Sequence, residues 1–253
     1  MNTKKLKKYW KSEEQLAHIH GWDFSHIEGR YIQQNPPWDY KSIIFSYLKR
    51  NNTLLDIDTG GGEFLLSLNH SHSLTSATEG YSPNVELCKK VLLPLGINFR
   101  ESNNYSNLPF ENDTFDIIIN RHGNYDVNEI HRILKPNGIF ITQQVGEDND
   151  REFIKLLLPD TKKTFNGANL CTQKHLFMKN GFSILQSSEA FCPMKFYDIG
   201  ALVWFAKIIE WEFPNFSVDT CFKRLLKAQE ILNEKGFVSG TAHRYLIVAK
   251  KSV

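Results

Sequence analysis

The stretch of the chain best suited to chemistry is LLDIDTGGGEFLLSL, at positions 54–68. A short apolar run ends at Asp56, a glycine-rich turn follows, and a second apolar run continues with helical spacing. Glycine lets the backbone turn sharply and lets a ligand approach without meeting a β-carbon. The next helix would offer free N–H groups to an anionic ligand group. Taken alone, however, a glycine turn fits an ordinary tight turn equally well.

A second acidic residue strengthens the case for a ligand. The segment SLTSATEG predicts a strand that ends near Glu79, one strand after the glycine turn. In doubly wound sheets, ligands bind at the carboxyl ends of the strands. A carboxylate there can accept hydrogen bonds from both ribose hydroxyls. The glycine turn and Glu79 together indicate a cofactor that contains adenosine.

Strand and helix signals alternate from about position 53 onward. The predicted helix SPNVELCKKVLLPLG has Ser82 as its cap, and Pro136, Asn137 and Gly138 are predicted to stop the helix DVNEIHRILKPNG. This alternation indicates right-handed crossovers and a largely parallel, doubly wound α/β sheet. The predicted strands are TLLDID, SLTSATEG, INFRES, FDIIIN and IFITQQV, followed later by FSILQSSEAF and HRYLIVAKK.

The segment NYSNLPFENDTFDIIINRHGNYDVNEIHRILKPNGIFITQQV carries a family resemblance. Its LPF, FD and LKPNG elements stand in the order found in class I S-adenosylmethionine-dependent methyltransferases, where such elements lead into the fourth and fifth strands. LLDIDTGGGEF resembles the family's first motif, and Glu79 stands at its second acidic position. The resemblance covers positions 53–145. It implies a Rossmann-like sheet with an antiparallel last strand, and S-adenosylmethionine as the cofactor.

The resemblance also implies roles for individual residues. Glu79 would hold the ribose, Asn104 would accept from the adenine amino group, and Tyr105 could flank the ring. The residues after the fourth strand would line the methionine part of the cofactor and the transferred methyl. The implied cofactor-binding set is Asp56, Asp58, Gly60, Gly62, Glu79, Asn104, Tyr105 and Asn120, and the implied catalytic residues are His122 and Arg121.

Asp58 departs from the family pattern, which has glycine at this position. Aspartate tolerates left-handed backbone, so the turn can still form. Its carboxylate could repel the cofactor's carboxylate, or it could attract the cofactor's amino or sulfonium group. We expect the cofactor site to be retained, because the flanking glycines and Glu79 remain.

His122 is the best candidate for a general base, because the usual pKa of a histidine side chain suits proton transfer near neutral pH. A loop histidine with one structural hydrogen bond is the alternative. Arg121 could bind a carboxylate or phosphate, or form a structural ion pair. No metal site is expected, because His18/His20 and His70/His72 are spaced two residues apart, whereas helical ligands prefer four.

Composition limits the function classes. The formal net charge of +2 does not favour a dedicated nucleic-acid binder, and the lysines near the start read as a solvated, frayed tail. Four scattered cysteines without a CxxC pair indicate reduced thiols. The sequence shows neither a signal peptide nor an apolar run long enough to cross a membrane. A cytoplasmic protein is therefore expected. Nothing in the sequence indicates its oligomeric state.

The expected organisation has four parts: a helix and aromatic cap at 1–52, the cofactor-binding core at 53–192, a helical insertion at 193–240, and the final core strand at 241–253. The cap and the insertion are expected to form a lid. The expected function is methyl transfer to oxygen or nitrogen of a small-molecule acceptor. The alternatives are a methyltransferase acting on ribosomal or transfer RNA, and a non-catalytic cofactor-binding protein of the same fold.

Overall fold

The computed structural model describes residues 2–18 and 23–252. The strands are β1 Tyr31–Gln33, β2 Leu54–Ile57, β3 Thr75–Glu79, β4 Asn98–Glu101, β5 Phe115–Arg121, β6 Leu134–Val145, β7 Phe182–Phe196 and β8 Val238–Lys251. The helices are α1 Thr3–Gln15, α2 Tyr40–Tyr47, α3 Glu63–Ser67, α4 Ser82–Val91, α5 Val127–Ile133, α6 Arg151–Leu157, α7 Leu170–Lys179, α8 Ile199–Ile208 and α9 Phe222–Lys235. None of the described helices is long and apolar enough to span a bilayer.

The chain folds into two compact units, each built from three segments. The core unit comprises Pro37–Val145, Gly167–Glu189 and Arg244–Val253. The accessory unit comprises Met1–Pro36, Gly146–Asn166 and Ala190–His243.

The sheet of the core unit has the strand order β7-β8-β6-β5-β2-β3-β4. Strands β2 to β6 pair in parallel with their neighbours, and β8 pairs antiparallel with β6. The doubly wound α/β fold and its antiparallel last strand are thus confirmed. Because β2 lies between β3 and β5, the chain leaves β2 toward one side and later returns on the other, which is where such sheets bind ligands.

The isoleucines of β5 show how the sequence produces a sheet that is covered on both faces. Successive side chains of a strand point to opposite faces. Ile117 and Ile119 pack with Leu54 in one hydrophobic cluster, whereas Ile118 packs with Leu55 in another. The strand predicted for FDIIIN is therefore confirmed, and it is buried on both faces.

Two helix boundaries differ from the sequence-based prediction. Ser82 is the first residue of α4 and not its cap, since Tyr81 occupies the cap position. Helix α5 ends at Ile133, and the predicted stop, Pro136 to Gly138, lies inside β6. The chain turns to strand there because Leu134 already pairs with Phe115 across the sheet.

The lysine-rich start of the chain is helical, so the prediction of a frayed tail is wrong. In the accessory unit, α1 buries Leu6 and Trp10 in the apolar core. On its outer face, Lys7 and Lys11 both pair with Asp219. Burial of one apolar face stabilises a helix whose other face is charged.

A polar network accounts for Arg30 within the accessory unit. Its Nε atom lies 2.9 Å from Asp198 Oδ2, and its Nη2 atom lies 2.9 Å from Glu13 Oε1. The Tyr9 hydroxyl donates to the same Asp198 oxygen over 2.8 Å. The guanidinium therefore serves as a structural bridge.

Glu129 anchors the LPF turn of the core unit. Its buried carboxylate accepts the Leu108 N–H over 2.6 Å and pairs with Arg132. We predict that Glu129→Ala lowers the free energy of unfolding by about 2–3 kcal/mol, because it leaves a buried N–H and a cation unpaired. Urea denaturation measures this. Glu86→Ala, which removes an exposed i,i+3 partner of Lys89, is the matched control and should change little. Equal effects of the two substitutions would contradict this role for Glu129.

Candidate functional site

Loops at the carboxyl ends of the parallel strands gather the predicted site residues in the core unit. Residues 58–62 follow β2, residues 80–81 follow β3, and residues 122–124 follow β5. The three loops touch: the Asn124 N–H donates to Asp58, and the Gly60 N–H donates to Glu79. The fold thus brings together residues that are up to 66 positions apart in the chain.

Asp58 adopts the left-handed backbone that its position requires, with φ +55°. The prediction that aspartate can take the place of glycine in this turn is confirmed. Its Oδ2 atom accepts the Tyr105 hydroxyl over 2.8 Å and the Asn124 N–H over 3.1 Å. Its Oδ1 atom is buried and has no hydrogen-bond partner among the described residues. Tyr105 therefore holds the Asp58 carboxylate in place.

The two glycines of the predicted motif have different roles. Both are left-handed, Gly60 at φ +66° and Gly62 at φ +87°. A β-carbon on Gly60 would meet no atom within 4 Å, so its backbone borders open space. A β-carbon on Gly62 would lie 2.8 Å from Leu92 Cδ2. Gly60 leaves room for a ligand, whereas Gly62 is required by the packing of the protein and by the start of α3.

Glu79 joins the glycine loop to the end of β3 through hydrogen bonds. Its side chain is buried; Oε1 accepts the N–H groups of Gly80 and Tyr81, each over 2.9 Å. Oε2 accepts the Gly60 N–H over 2.9 Å and has only a 3.4 Å contact with Asn84 besides. Because a carboxylate oxygen can accept two hydrogen bonds, Oε2 retains capacity for a ligand hydroxyl.

Three carboxylates surround this loop and make it acidic. Burial raises the pKa of Asp56 to about 7, although the Thr59 hydroxyl donates to it over 2.8 Å and the positive charge of Arg121 opposes the rise. Burial also raises the pKa of Asp58 to about 6, and the negative charge of Glu79 adds to the rise. A bound cation would reduce the repulsion among the negative charges of Asp56, Asp58 and Glu79, so the loop is suited to a positively charged ligand.

The two predicted asparagines lie in contrasting surroundings. Asn104 is exposed, and its Oδ1 atom accepts both the Ser106 hydroxyl over 2.9 Å and the Ser106 backbone N–H over 3.3 Å. Asn120 is fully buried; its amide donates to the Ile57 carbonyl over 2.9 Å, and its oxygen accepts from Gln144. Asn120 thus cross-links three strands, β5 to β2 and to β6, and exposes no surface to a ligand in this structure.

Arg121 and His122 are exposed at the end of β5. The Arg121 guanidinium carbon lies 4.2 Å from the centroid of the Phe64 ring, a cation–π contact. The His122 backbone is left-handed at φ +64°, and its Nε2 atom lies 3.1 Å from Gln143 Nε2. The Gln143 oxygen in turn accepts the Trp38 indole N–H over 2.8 Å.

The pKa of His122 is lowered, first by loss of water around its ring and then by the positive charges of Arg244 and Arg121. Because the residue keeps contact with solvent, water moderates the effect of these charges. The imidazole is therefore neutral near neutral pH. Sequence reasoning missed the contacts of Trp38 and Gln143, and the only available signal was the position of Gln143 near the end of a predicted strand.

No group of three or more histidine, cysteine, aspartate or glutamate side chains arranged for a metal ion occurs among residues 2–18 and 23–252. His20, one member of the histidine pairs noted above, lies outside the described residues. In the core unit, His70 Nε2 lies 2.8 Å from the Asn52 carbonyl, so it has a structural hydrogen bond.

Comparison with known proteins supports the sequence resemblance. Residues 55–142 match the family model described as a methyltransferase domain, a span that runs from β2 into β6. No curated protein sequence matches the chain significantly.

Solved structures share the fold at low sequence identity. A protein of unknown function from Deinococcus radiodurans is 12% identical, with a TM-score of 0.59 and coverage of 88% of this chain and 91% of the other. The YcgJ protein of Bacillus subtilis is 19% identical, with a TM-score of 0.56 and coverage of 85% and 98%. An S-adenosylmethionine-dependent methyltransferase from Methanosarcina mazei is 17% identical, with a TM-score of 0.52 and coverage of 88% and 100%.

The raised pKa of Asp58 predicts a pH-dependent effect of Asp58→Asn on stability. The folded state keeps the Asp58 proton up to about pH 6, whereas the unfolded chain releases it near 3.8, so ionisation of Asp58 destabilises the fold as pH rises through this window. The variant should match the wild type at about pH 4 and exceed its free energy of unfolding by about 1–3 kcal/mol at about pH 8. Urea denaturation at both pH values measures this.

Asp39→Asn is the matched control for that experiment. Hydrogen bonds from the Ser42 side chain and backbone lower the pKa of Asp39, which caps α2. This variant should therefore gain no stability as the pH rises. A flat difference between the Asp58→Asn variant and the wild type across the pH range would contradict the raised pKa of Asp58.

Proposed function

We propose that this chain, whose residues 55–142 match the family model of a methyltransferase domain, is a class I S-adenosylmethionine-dependent methyltransferase that transfers a methyl group to an oxygen or nitrogen atom of a small-molecule acceptor. The observation that carries this proposal is the Gly60 backbone, which borders open space and is held by Glu79 at the switch point of the sheet. The cofactor of this family is S-adenosylmethionine. When bound, it supplies an electrophilic methyl group on a positively charged sulfur.

The residues at the loop fit this cofactor. Glu79 Oε2 can accept from a ribose hydroxyl, because it has one strong hydrogen bond and one long contact. The open space beside Gly60 leaves room for the cofactor's methionine and ribose part. Asn104 is exposed, and a hydrogen bond from the adenine amino group to its Oδ1 atom would replace the longer of the two bonds that this oxygen accepts from Ser106. Asp56, Gly62, Tyr105 and Asn120 would act indirectly, by shaping the loop and the strand ends.

The acidic loop favours the charged cofactor over its product. S-adenosylmethionine carries a sulfonium charge that S-adenosylhomocysteine lacks. Asp58 and Glu79 lie close enough to Asp56 for their negative charges to raise its pKa. We therefore expect Asp58 to attract the cation more than it repels the cofactor's carboxylate, and we expect the product to be held less tightly.

The chain's own contribution to methyl transfer is positioning and removal of water, because the cofactor is already activated. Arg121 and His122 are exposed at the end of β5 and would contact the acceptor. A nitrogen acceptor with a free lone pair needs no general base before the transfer.

A small-molecule acceptor agrees better with the charges of α1 than an RNA acceptor does. In the sequence, the lysine-rich start of the chain is the one feature that favours an RNA acceptor. Lys7 and Lys11 are both paired with Asp219, which reduces the positive charge available to a polyanion.

Calorimetric titration with S-adenosylmethionine tests the cofactor site. We expect micromolar binding, and about tenfold weaker binding for Glu79→Gln, which loses one charged acceptor for the ribose. Glu86→Gln, on the exposed face of α4, is the control and should bind as the wild type does. Binding without turnover across a broad acceptor panel would instead favour the non-catalytic alternative, and strongly salt-dependent RNA binding would favour the RNA alternative.

Asp58→Gly restores the glycine that the family pattern has and separates the two effects considered for the carboxylate. We expect it to weaken S-adenosylmethionine binding by about threefold to tenfold and to change S-adenosylhomocysteine binding less, because only the former has the sulfonium charge. Competition calorimetry on both ligands measures the ratio. Tighter binding of both ligands to the variant would show that repulsion of the cofactor's carboxylate dominates.

A further inference from the structure

We propose that the methyl acceptor carries a carboxylate or phosphate group, bound by an Nδ1–H hydrogen bond from neutral His122 together with the Arg121 guanidinium. This proposal rests on the proposed function, since it names the chemical class of the acceptor. It also assigns Trp38 and Gln143 as positioning residues for His122. A chain of hydrogen bonds within the core unit runs from Trp38 through Gln143 to His122.

The Trp38 indole fixes the orientation of the Gln143 amide. An indole N–H can donate a hydrogen bond but cannot accept one. It lies 2.8 Å from Gln143 Oε1, so the amide oxygen must face Trp38. The opposite orientation would place two donors against each other. The Gln143 NH2 group therefore faces His122.

The Gln143 amide then fixes the tautomer of His122. Gln143 Nε2 lies 3.1 Å from His122 Nε2, and an amide NH2 group can only donate. His122 Nε2 must accept, so the single proton of the neutral ring lies on Nδ1. A protonated ring would place two donors together, which agrees with the lowered pKa of His122.

This arrangement opposes the role of His122 as a general base. The ring's one lone pair is already occupied by Gln143, and its other nitrogen carries a proton. The backbone is held as well, since the His122 N–H donates to the Gln143 carbonyl over 2.9 Å. The imidazole therefore presents a hydrogen-bond donor, and its complement is a hydrogen-bond acceptor on the substrate.

The charges around His122 favour an anionic acceptor. Arg121 is exposed, and the flat face of its guanidinium lies against the Phe64 ring. This contact leaves the N–H groups along the edge of the guanidinium for a ligand. Arg244, opposite Val145 in the sheet, adds a second positive charge that His122 senses. Asp56 lies in β2 and Asp58 in the loop after it, whereas the positive charges near His122 come from Arg121 in β5 and Arg244 in β8.

Nitrogen NMR of the histidine side chains tests the hydrogen-bond chain directly. In the wild type, His122 should show a protonated Nδ1 and an unprotonated Nε2 from about pH 5 to pH 8. Gln143→Glu should reverse the tautomer and raise the pKa of His122, because a carboxylate accepts from both Trp38 and His122. Trp38→Phe should give mixed tautomers, and Trp204→Phe, which removes an indole N–H in the accessory unit, should not. An Nε2–H tautomer in the wild type would overturn the assignment.

Titration with acetate and with inorganic phosphate tests the anion subsite, with the protein saturated by S-adenosylhomocysteine and the ionic strength held by chloride. Millimolar binding of either anion should shift the His122 and Arg121 side-chain signals. Arg121→Gln should weaken that binding about tenfold, whereas Arg100→Gln, an exposed arginine on β4, should leave it unchanged. Preference for acetate or phosphate identifies which anion the acceptor carries.

The two proposals fail in distinguishable ways. A protein that binds S-adenosylmethionine but shows no response to either anion retains the proposed function and overturns the anionic acceptor. A protein that binds neither S-adenosylmethionine nor S-adenosylhomocysteine overturns the proposed function itself and, with it, the assignment of the acceptor.

Discussion

The carboxylate of Glu79 is the interaction on which the candidate site depends. It accepts backbone N–H groups from Gly60, Gly80 and Tyr81, and so joins the end of β3 to the loop after β2. Hydrogen bonds between a buried carboxylate and backbone N–H groups are among the stronger ones in proteins. The glycine loop therefore owes its shape to an acidic side chain 19 residues away as much as to its own glycines.

The buried carboxylates give the loop a negative charge that is energetically costly in the folded protein. Asp58 stands where the family pattern has glycine, and Tyr105 and Asn124 hold one of its oxygens in place. With Asp56 and Glu79 nearby, ionisation of the group is costly, which is seen in the raised pKa values of Asp56 and Asp58. A fold can tolerate such a cluster when a cationic ligand lowers its energy.

His122, at the end of β5, shows how a side chain elsewhere in the fold can decide the chemistry of a site residue. The indole of Trp38 determines the orientation of the Gln143 amide. That orientation in turn determines which nitrogen of His122 carries the proton. Each step follows from which atoms can only donate. A histidine that the sequence presents as a base thereby becomes, in the folded protein, a hydrogen-bond donor beside a cationic side chain.

The family resemblance implied the antiparallel last strand. Through its own patterns, the sequence determined the alternation of strand and helix, the parallel sheet, and the left-handed turn at Asp58. These features follow from local patterns: apolar periodicity selects the element, and backbone sterics select the residues at a turn. It also located the strand-end residues from Asn120 to His122, because strand ends are visible as changes of pattern.

Tertiary structure decided what those residues contact. It buried Asn120 between strands and packed Gly62 against Leu92, while Gly60 was left open. It also placed Trp38, 105 residues away in sequence, against Gln143. Hydrogen-bond partners of this kind depend on which strands become neighbours, and a local pattern carries no information about the side chains that the neighbouring strand and loop will supply.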